Sequence, residues 1–296
     1  MKIAFIGLGN MGEPMASNLA NAGYEVYAYD VMKKKTISAE KKGCIKKESL
    51  KSAVKGVDFV VTMLPEGRHV KEAYLTKEGI VNNASPGTIL IECSTIDVET
   101  TKKVGEVALC KDLFMIDCPV SGGTSGAVNS TLTFMVGGNS ETLKLSLPLL
   151  NVMGKKIVHV GELGSGQAAK ACNNMLLGIS MIALGEAFTL ADKLGLDQKK
   201  LFQISSEGSG MSWAMLNHLP VSGIVDTAAS NNNFKAGFAA HMMLKDLTLA
   251  LSAADSTNFK CPIGSLTKSL YEKFVKSGGG SLDYSAIIKL INGTHK

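Results

Sequence analysis

The stretch Lys2–Gly12, KIAFIGLGNMG, decides the fold of the first part of this 296-residue chain. Its apolar run, Lys2–Ile6, is typical of a buried strand, and the glycines that follow have GxGxxG spacing. Gly7 permits a tight turn, Gly9 lets a pyrophosphate approach the backbone, and Gly12 lets the next helix pack close to the strand. Because the helix N-terminus also offers N–H groups to phosphates, the stretch predicts a dinucleotide-binding unit.

The second predicted strand supplies a further cofactor residue. Asp30 ends the run EVYAYD, 18 residues after Gly12. A carboxylate at this position accepts hydrogen bonds from adenosine ribose hydroxyls and repels a 2′-phosphate, so Asp30 favours NAD. Lys33, Lys34 and Lys35 follow and leave an alternative open, because they could hold the 2′-phosphate of NADP.

Strand-like and helix-like segments alternate as far as about residue 163. The further predicted strands are VDFVVTMLP (57–65), GTILIECST (87–95), FMIDCPVSGG (114–123), TLTFMVGG (131–138) and KIVHVG (156–161). Because a parallel connection needs a crossover helix, the alternation predicts an α/β fold with a Rossmann-type, doubly wound parallel sheet over residues 1–163. Residues 164–296 are nearly all helical, and a long helix from Ser165, stopped by Gly195, joins the two predicted domains.

Two groups of residues at predicted strand ends are candidate binding residues, because ligands of open parallel sheets lie beyond the carboxyl ends of the strands. Leu64, Pro65 and Thr95 are predicted cofactor contacts, with ordinary strand-to-helix connections as the alternative. Ser121 and the glycines 122 and 123 form a loop whose exposed N–H groups suit a carboxylate or phosphate. A tight structural loop explains these glycines equally well.

The stretch Gly164–Gly195 is apolar on nearly every face, the pattern of a buried helix, yet it places Lys170 near its start and Asn174 one turn further on. An ammonium group kept away from water is penalised, so such an amine could exchange a proton near neutrality. Hydride transfer at an alcohol carbon needs a partner for the hydroxyl proton, and no histidine has a comparable position. Lys170 and Asn174 are therefore candidate catalytic residues. The alternative is a lysine that snorkels or pairs with an acid, and salt bridging is likewise the alternative for Lys245 in LKDL.

Composition limits the class of protein. Hydrophobic residues make up 45% and charged residues 19% of the chain, which is typical of a globular protein. The net charge of +5 comes largely from lysines in 33–47, a pattern that indicates a solvated helix face more often than a nucleic-acid patch.

The six cysteines form no CxxC pair and are expected to be buried, reduced thiols. With no unbroken run of about 18 apolar residues and no leader pattern, we expect a cytoplasmic protein without a membrane partner.

With these motifs assembled, the sequence resembles the β-hydroxyacid dehydrogenases over essentially the whole chain. The segments that carry the resemblance are FIGLGNMGEPMASNL, TMLP, CSTID, DCPVSGGTSGA, LTFMVGG, GSGQAAKACNNML, ASNNN with FKAGF, and MLKDLTLA. Within the family, KACNNMLLGISMI and the segment 213–238 point to the branch that acts on 3-hydroxyisobutyrate.

This resemblance implies a function and a set of roles. The reaction is the NAD-dependent oxidation of 3-hydroxyisobutyrate to methylmalonate semialdehyde in valine breakdown, without a metal, by a homodimer or homotetramer assembled through the helical domain. Lys170 is the catalytic residue, and Asn174 binds the substrate together with the loop Ser121, Gly122, Gly123. Lys245 lies on the nicotinamide and substrate side and is an implied cofactor contact. The implied NAD contacts are Gly7, Gly9, Asn10, Met11, Gly12, Asp30, Leu64, Pro65 and Thr95.

Two alternatives remain open at this point. One is a related enzyme of the same chemistry, such as an NADPH-dependent semialdehyde or glyoxylate reductase. The other is a non-catalytic protein that binds a dinucleotide or a partner of the basic residues. Lys170, Asn174 and the Ser-Gly-Gly loop argue against the second, because dinucleotide binding alone does not need them.

Overall fold

The computed structural model of the chain describes residues 1–295 and divides into two compact units. Unit 1 runs from Met1 to Lys170, and unit 2 begins at Ala171. The boundary at 163/164 predicted from the sequence marks the start of the long helix. The first turns of that helix lie within unit 1, so the helix belongs to both units.

Unit 1 is built on a sheet in which β1 lies near the centre. Its strands are β1 (Lys2–Ile6), β2 (Glu25–Tyr29), β3 (Ile45–Lys46), β4 (Phe59–Thr62), β5 (Ile89–Glu92), β6 (Phe114–Asp117), β7 (Val120–Ser121), β8 (Leu132–Gly137) and β9 (Gly154–Gly161). Their order across the sheet is β3-β2-β1-β4-β5-β6-β8-β7, with β9 beside β8. The first six positions have the strand order of a dinucleotide-binding domain, which confirms the predicted Rossmann-type fold.

The predicted parallel pairing holds for β1 to β6 but is wrong for β8. Strand β8 runs antiparallel to β6 and β7, and only β9 pairs with it in parallel. The chain between β6 and β8 contains β7 and the six-residue helix α7 (Gly123–Val128). A helix this short cannot carry the chain back along the sheet, which a parallel connection requires, so β8 returns in the opposite direction.

The other helices of unit 1 connect the strands over both faces of the sheet. They are α1 (Gly12–Asn21), α2 (Lys33–Glu40), α3 (Leu50–Val54), α4 (Gly67–Leu75), α5 (Ile80–Asn83), α6 (Val98–Leu109) and α8 (Ser140–Met153). Side chains alternate along β1, so Ile3 and Phe5 belong to one buried apolar cluster and Ala4 and Ile6 belong to another. A strand that is buried on both faces has a continuous run of apolar residues in its sequence. The run KIAFIG therefore predicted β1.

Helix α9 (Ser165–Lys193) is the long helix predicted from the sequence. It ends where Gly195 adopts a φ of 72°, and the N–H of Leu196 donates to the carbonyl of Ala191. By length and composition α9 could also cross a membrane, and less than half of its most apolar window is buried. A core helix of a globular protein meets the same test, so this is weak evidence for a membrane.

In the part that the structure describes, unit 2 consists of helices joined by loops, with two isolated β-bridges, Lys235 to Leu282 and Ala239 to Asp283. After α9 come α10 (Gln198–Glu207), α11 (Trp213–His218), α12 (Ala240–Ser256), α13 (Pro262–Lys276) and α14 (Ile288–Ile291), with 3₁₀ turns at Ala229–Asn232, Gly279–Ser281 and Tyr284–Ile287. The core of this unit surrounds the buried rings of Tyr271, Phe274 and Tyr284. All six cysteines are free, but the expectation that they are buried is wrong for Cys110, just after α6, and for Cys172, in α9, which are both exposed. Cys261 is partly buried.

Candidate active site

The glycine turn between β1 and α1 has the shape that a dinucleotide pyrophosphate needs. A Cβ on Gly7, where φ is 92°, would lie 2.3 Å from the carbonyl oxygen of Met63, and one on Gly12 would lie 2.0 Å from that of Gly7. In contrast, a Cβ on Gly9 would meet no atom within 4 Å. The N-cap residue Met11 makes no side-chain hydrogen bond to the first turn of α1. The turn is therefore closed on its protein side and open at Gly9, which fits a phosphate at the helix N-terminus.

Asp30, which is predicted to bind the ribose hydroxyls, also forms a hydrogen bond with the backbone of the glycine turn. One oxygen of its carboxylate accepts the N–H of Leu8 at 2.8 Å, and the other accepts the N–H of Met32 at 2.8 Å. A carboxylate has further lone pairs, so these bonds leave acceptor capacity for ribose hydroxyls. The bond to Leu8 ties the end of β2 to the turn after β1, which the sequence analysis did not predict.

Lysines of the basic segment 33–47 have several local partners. Lys42 lies 3.3 Å from the carboxylate of Glu13, Lys46 lies 3.3 Å from that of Glu48, and the amine of Lys47 lies 3.7 Å from the centroid of the Tyr27 ring. Local pairing supports the interpretation of a solvated helix face. Lys33 and Lys34 are exposed at the start of α2, close in sequence to Asp30.

The carboxyl ends of five strands form one edge of the sheet. In the strand register Ile6 pairs with both Tyr29 and Thr62, and Thr62 pairs with Glu92, which pairs with Asp117. Because these strands are parallel, the segments that follow them lie along the same edge. The structure thus places along this edge the predicted cofactor residues that follow β1, β2, β4 and β5: Gly7, Gly9, Asn10, Met11, Gly12, Asp30, Leu64, Pro65 and Thr95.

The predicted substrate loop follows β6 and contains β7. Ser121 ends β7, and the next two residues are Gly122 and Gly123 with φ values of 130° and 61°. Side chains other than glycine rarely adopt these conformations, so the backbone itself needs both glycines. Helix α7 then packs beside α1, where the side-chain amide of Asn18 donates to the carbonyl of Ala127 at 2.8 Å. A structural reason for the glycines therefore exists beside the predicted binding role.

Lys170 lies on the first turns of α9, which are attached to the same sheet edge. The carboxylate of Asp117 accepts the backbone N–H groups of Gly164 at 2.7 Å and Gln167 at 2.8 Å. It thus satisfies donors at the start of the helix, in the manner of a cap supplied by another element. Lys170, three residues beyond Gln167, has only 8% of its surface exposed, so the expected low exposure of this residue is observed.

Asn174 and Lys245 both have contacts to Asp246 within unit 2. The side-chain amide of Asn174 donates to one oxygen of Asp246 at 2.5 Å, and the amine of Lys245 lies 3.3 Å from the other. Asn174 also accepts a hydrogen bond from Asn173 at 3.0 Å. The salt bridge considered for Lys245 is therefore present. Sequence reasoning did not assign Asp246 a role in orienting Asn174, although the pair KD within an apolar helix was the available signal.

Two buried acids at the sheet edge were also missed. Glu92 is fully buried, and its burial raises the pKa of the carboxyl to about 8. Burial likewise raises the pKa of Asp117 to about 6, although backbone N–H groups that donate to it oppose the shift. Acidic residues at the ends of the apolar runs ILIE and FMID were the signal in the sequence. Glu92 accepts from the backbone N–H of Ser94 at 2.9 Å and from the side-chain amide of Gln167 at 3.2 Å.

The arrangement in unit 1 combines a glycine turn that is open at Gly9, the carboxylate of Asp30 and the nearly buried amine of Lys170 along one sheet edge. Among the residues that the structure describes, no group of three or more His, Cys, Asp or Glu has the arrangement of a metal site. These features suit a reaction in which a dinucleotide exchanges a hydride and a side chain exchanges a proton.

Family comparisons agree with this chemistry. Residues 2–161 match the NAD-binding domain of 6-phosphogluconate dehydrogenase, and residues 164–291 match the NAD-binding family of NADP-dependent 3-hydroxyisobutyrate dehydrogenase. The chain is 42% identical over 293 residues to an NAD-dependent L-serine dehydrogenase of Pseudomonas aeruginosa, covering 99% of this chain and 98% of that protein. It is 41% identical over 293 residues to the 3-hydroxyisobutyrate dehydrogenase of the same organism, covering 98% of each.

A solved structure extends the likeness to the fold. The 3-hydroxyisobutyrate dehydrogenase of Mycobacterium tuberculosis, solved with L-serine, has a TM-score of 0.92 to this chain at 42% identity, with 98% of each chain covered. Identity at this level over the full length shows a common family as well as a common fold. The chain belongs to the 3-hydroxyisobutyrate dehydrogenase family of β-hydroxyacid dehydrogenases, and it is an oxidoreductase that uses NAD.

Proposed function

We propose that this enzyme oxidises 3-hydroxyisobutyrate to methylmalonate semialdehyde in valine breakdown. The observation that carries the proposal is the place of Lys170, a nearly buried amine on the helix that starts at the carboxyl edge of the nucleotide-binding sheet. Dinucleotide binding alone does not need such an amine. The full-length likeness to two dehydrogenases of β-hydroxy acids supports the substrate class.

The side chains have distinct roles in this proposal. Bound NAD supplies the hydride acceptor. Lys170, as the neutral amine, accepts the proton from the hydroxyl oxygen while hydride leaves the carbon that bears this hydroxyl, and Lys170 releases the proton afterwards. Asn174, held by Asp246, orients the substrate. Ser121 and the two glycines after it bind the substrate carboxylate, so that binding energy is used to align the reacting carbon.

L-Serine is the second candidate substrate. A relative of 42% identity is named for L-serine oxidation, and the Mycobacterium tuberculosis enzyme was solved with L-serine. Serine and 3-hydroxyisobutyrate share a primary alcohol two bonds from a carboxylate, and they differ only in an ammonium or a methyl group on the carbon between. The proposed roles of Lys170 and the Ser-Gly-Gly loop apply to both molecules. Substrate preference therefore depends on the residues around the ammonium group of serine or the methyl group of 3-hydroxyisobutyrate.

A substrate panel with both cofactors tests the proposal. We expect reduction of NAD, followed at the absorbance of the reduced nicotinamide, with the largest kcat/KM for 3-hydroxyisobutyrate. L-Serine, glycerate and 4-hydroxybutyrate are the comparison substrates, and each is measured with NAD and with NADP. A larger kcat/KM for L-serine would replace the proposed substrate by the second candidate. A larger kcat/KM with NADP would contradict the role of Asp30.

We further propose that the enzyme works in the cytoplasm as a homodimer or homotetramer, without a nucleic-acid or membrane partner. Helix α9 supports self-association, because Leu176, Ala183, Ala187 and Leu190 are exposed at spacings of three, four and seven residues. An apolar stripe at this spacing is the pattern of a helix that packs against another helix. Light scattering after gel filtration should give two or four chains for the wild type and fewer for Leu190→Lys. Leu145→Lys, at an exposed leucine of α8, is the matched control, and a monomeric wild type would contradict the proposal.

A further inference from the structure

We propose that Gln167 is a positioning residue that holds Lys170 at the sheet edge by binding the end of β5. This inference rests on the proposed function, because it assigns Gln167 a part in the proton transfer by Lys170. The structural basis is a set of hydrogen bonds that we call the Gln167 clamp, made by Gln167 with Glu92, Ser94 and Ile96.

Every polar atom of the Gln167 side chain is engaged in this clamp. Its amide nitrogen donates to the carbonyl of Ser94 at 2.8 Å and to the carboxyl of Glu92 at 3.2 Å, and its oxygen accepts the N–H of Ile96 at 3.1 Å. Gln167 is 1% exposed, and Glu92 and Ser94 are fully buried. A buried amide that lost these partners would be penalised, so the clamp selects one position of the helix relative to the strand.

The clamp contacts the backbone on both sides of a predicted cofactor residue. Ser94 and Ile96 flank Thr95, and both bond to Gln167. The hydroxyl of Ser94 in turn accepts the backbone N–H of Leu64 at 2.8 Å. One side chain thus links the start of α9 to the segments after β4 and β5 that are proposed to contact NAD.

Gln167 and Lys170 are three residues apart on α9, so they lie on neighbouring parts of one helix face. A rotation or shift of the first turns of α9 therefore moves the lysine amine together with Gln167. A misplacement of about 1 Å can reduce the rate of a reaction about 100-fold while the groups themselves stay present. An apolar side chain would fill the same space but would not fix the helix by direction-dependent bonds.

The test compares Gln167→Met with Tyr74→Phe in the full-length enzyme. Met has a similar volume and makes none of the clamp bonds. Tyr74→Phe removes a buried hydrogen bond to Thr62, 2.9 Å long, in the same region. The side chain of Thr62 contacts the clamp through a long bond of 3.4 Å to Glu92, and none of the Gln167 bonds is removed. The measurements are kcat and KM, the rate of a single hydride transfer, the isotope effect with substrate deuterated at the alcohol carbon, the Kd of NAD, and the Tm.

We expect Gln167→Met to lower kcat about 10- to 100-fold and to raise the isotope effect, with the Kd of NAD within about 2-fold. Both variants should lower the Tm, Tyr74→Phe by less because it removes one buried hydrogen bond rather than three, and Tyr74→Phe should leave kcat within about 2-fold.

At about pH 9, above the pKa of Glu92, Gln167→Glu should behave like Gln167→Met, because two carboxylates then face each other. Adding Glu92→Gln should restore part of kcat, because residue 92 then donates across that bond, while the carbonyl of Ser94 still lacks its donor. If Gln167→Met does not fold, the recovery of kcat from Gln167→Glu to the double variant still tests the inference.

Two results would overturn the inference. One is a loss of kcat in Gln167→Met no larger than in Tyr74→Phe, and the other is a double variant without any recovery relative to Gln167→Glu. Lys170→Ala, measured in parallel, separates this inference from the proposed function. Full turnover by Lys170→Ala would overturn both. An inactive Lys170→Ala beside a fully active Gln167→Met would overturn the positioning role alone.

Discussion

Asp246 contacts two side chains of unit 2 to which the proposal assigns roles, Asn174 and Lys245. It is 3% exposed, accepts the amide of Asn174 and lies beside the amine of Lys245. A carboxylate can accept only, so it fixes which end of the Asn174 amide points towards it. The carbonyl oxygen of Asn174 must then point away from Asp246, and this direction is a consequence of Asp246 rather than of Asn174 itself.

Asp246→Ala should therefore impair the reaction without changing the nucleotide site. We expect kcat/KM for the hydroxy acid to fall about 10- to 100-fold, because the amide of Asn174 loses its orientation. Leaving that buried amide without its acceptor should also lower the free energy of unfolding by about 1–3 kcal/mol. Steady-state kinetics and denaturant unfolding measure the two effects.

The control for this substitution lies on the same helix. The side chain of Asp255 in α12 forms an exposed pair with Lys260 at 3.5 Å, so Asp255→Ala should change both quantities little. Equal kinetic effects of the two substitutions would show that Asp246 has no specific role in orienting Asn174.

In the strand–turn–helix element at the N-terminus, Gly12 is needed for packing within the chain, whereas Gly9 is proposed to serve cofactor binding. A side chain at Gly12 would collide with the backbone of Gly7, whereas one at Gly9 would meet no protein atom. The space next to Gly9 is thus not needed for packing within the chain. The proposal assigns that space to the pyrophosphate.

Two alanine substitutions in this element should have different effects. Gly9→Ala should leave the Tm within about 2 °C and weaken NAD binding at least about 10-fold, because its methyl group occupies the position of the phosphate. Gly12→Ala should lower the Tm as well, because α1 must move away from the turn. Calorimetry for NAD binding and thermal unfolding test both statements, and unchanged NAD binding by Gly9→Ala would place the pyrophosphate elsewhere.

Elements of this chain differ in how far the sequence predicts them. The glycine turn, the alternating strands to β6 and the extent of α9 follow from local patterns, because strand burial and helix caps are encoded by neighbouring residues. The antiparallel direction of β8 was missed because it depends on the short length of α7. The Gln167 clamp was missed because it joins residues more than 70 positions apart, and no local pattern records such a pair.

At the scale of the whole molecule, the buried acids of the sheet edge link stability to pH. Burial raises the pKa of Glu92 to about 8 and that of Asp117 to about 6, both above their values in an unfolded chain. A folded state that binds more protons than the unfolded state becomes less stable as the pH rises. The contribution of these acids is therefore complete below about pH 4, declines as the pH rises, and is lost above about pH 8.

Glu92→Gln should remove much of this dependence. The wild type should lose up to about 1.4 kcal/mol of unfolding free energy per pH unit for each such proton, for both acids up to about pH 6 and for Glu92 alone from about pH 6 to 8, measured by urea unfolding. The variant keeps a neutral side chain at every pH, so its profile should be flatter and its stability at pH 8 should equal or exceed that of the wild type. Glu40→Gln, at an exposed acid, is the control, and a wild-type profile that rises with pH would contradict the protonated state of Glu92.

The central claim is that Lys170 transfers the substrate proton beside the bound nicotinamide. The most direct measurement is the single-turnover rate of NAD reduction by Lys170→Ala, together with the Kd of NAD. The account predicts a loss of about 10²- to 10⁴-fold in the rate with the Kd within about 2-fold, while Lys193→Ala, at the exposed far end of α9, stays at the wild-type rate. A Lys170→Ala rate within about 3-fold of the wild type would contradict it.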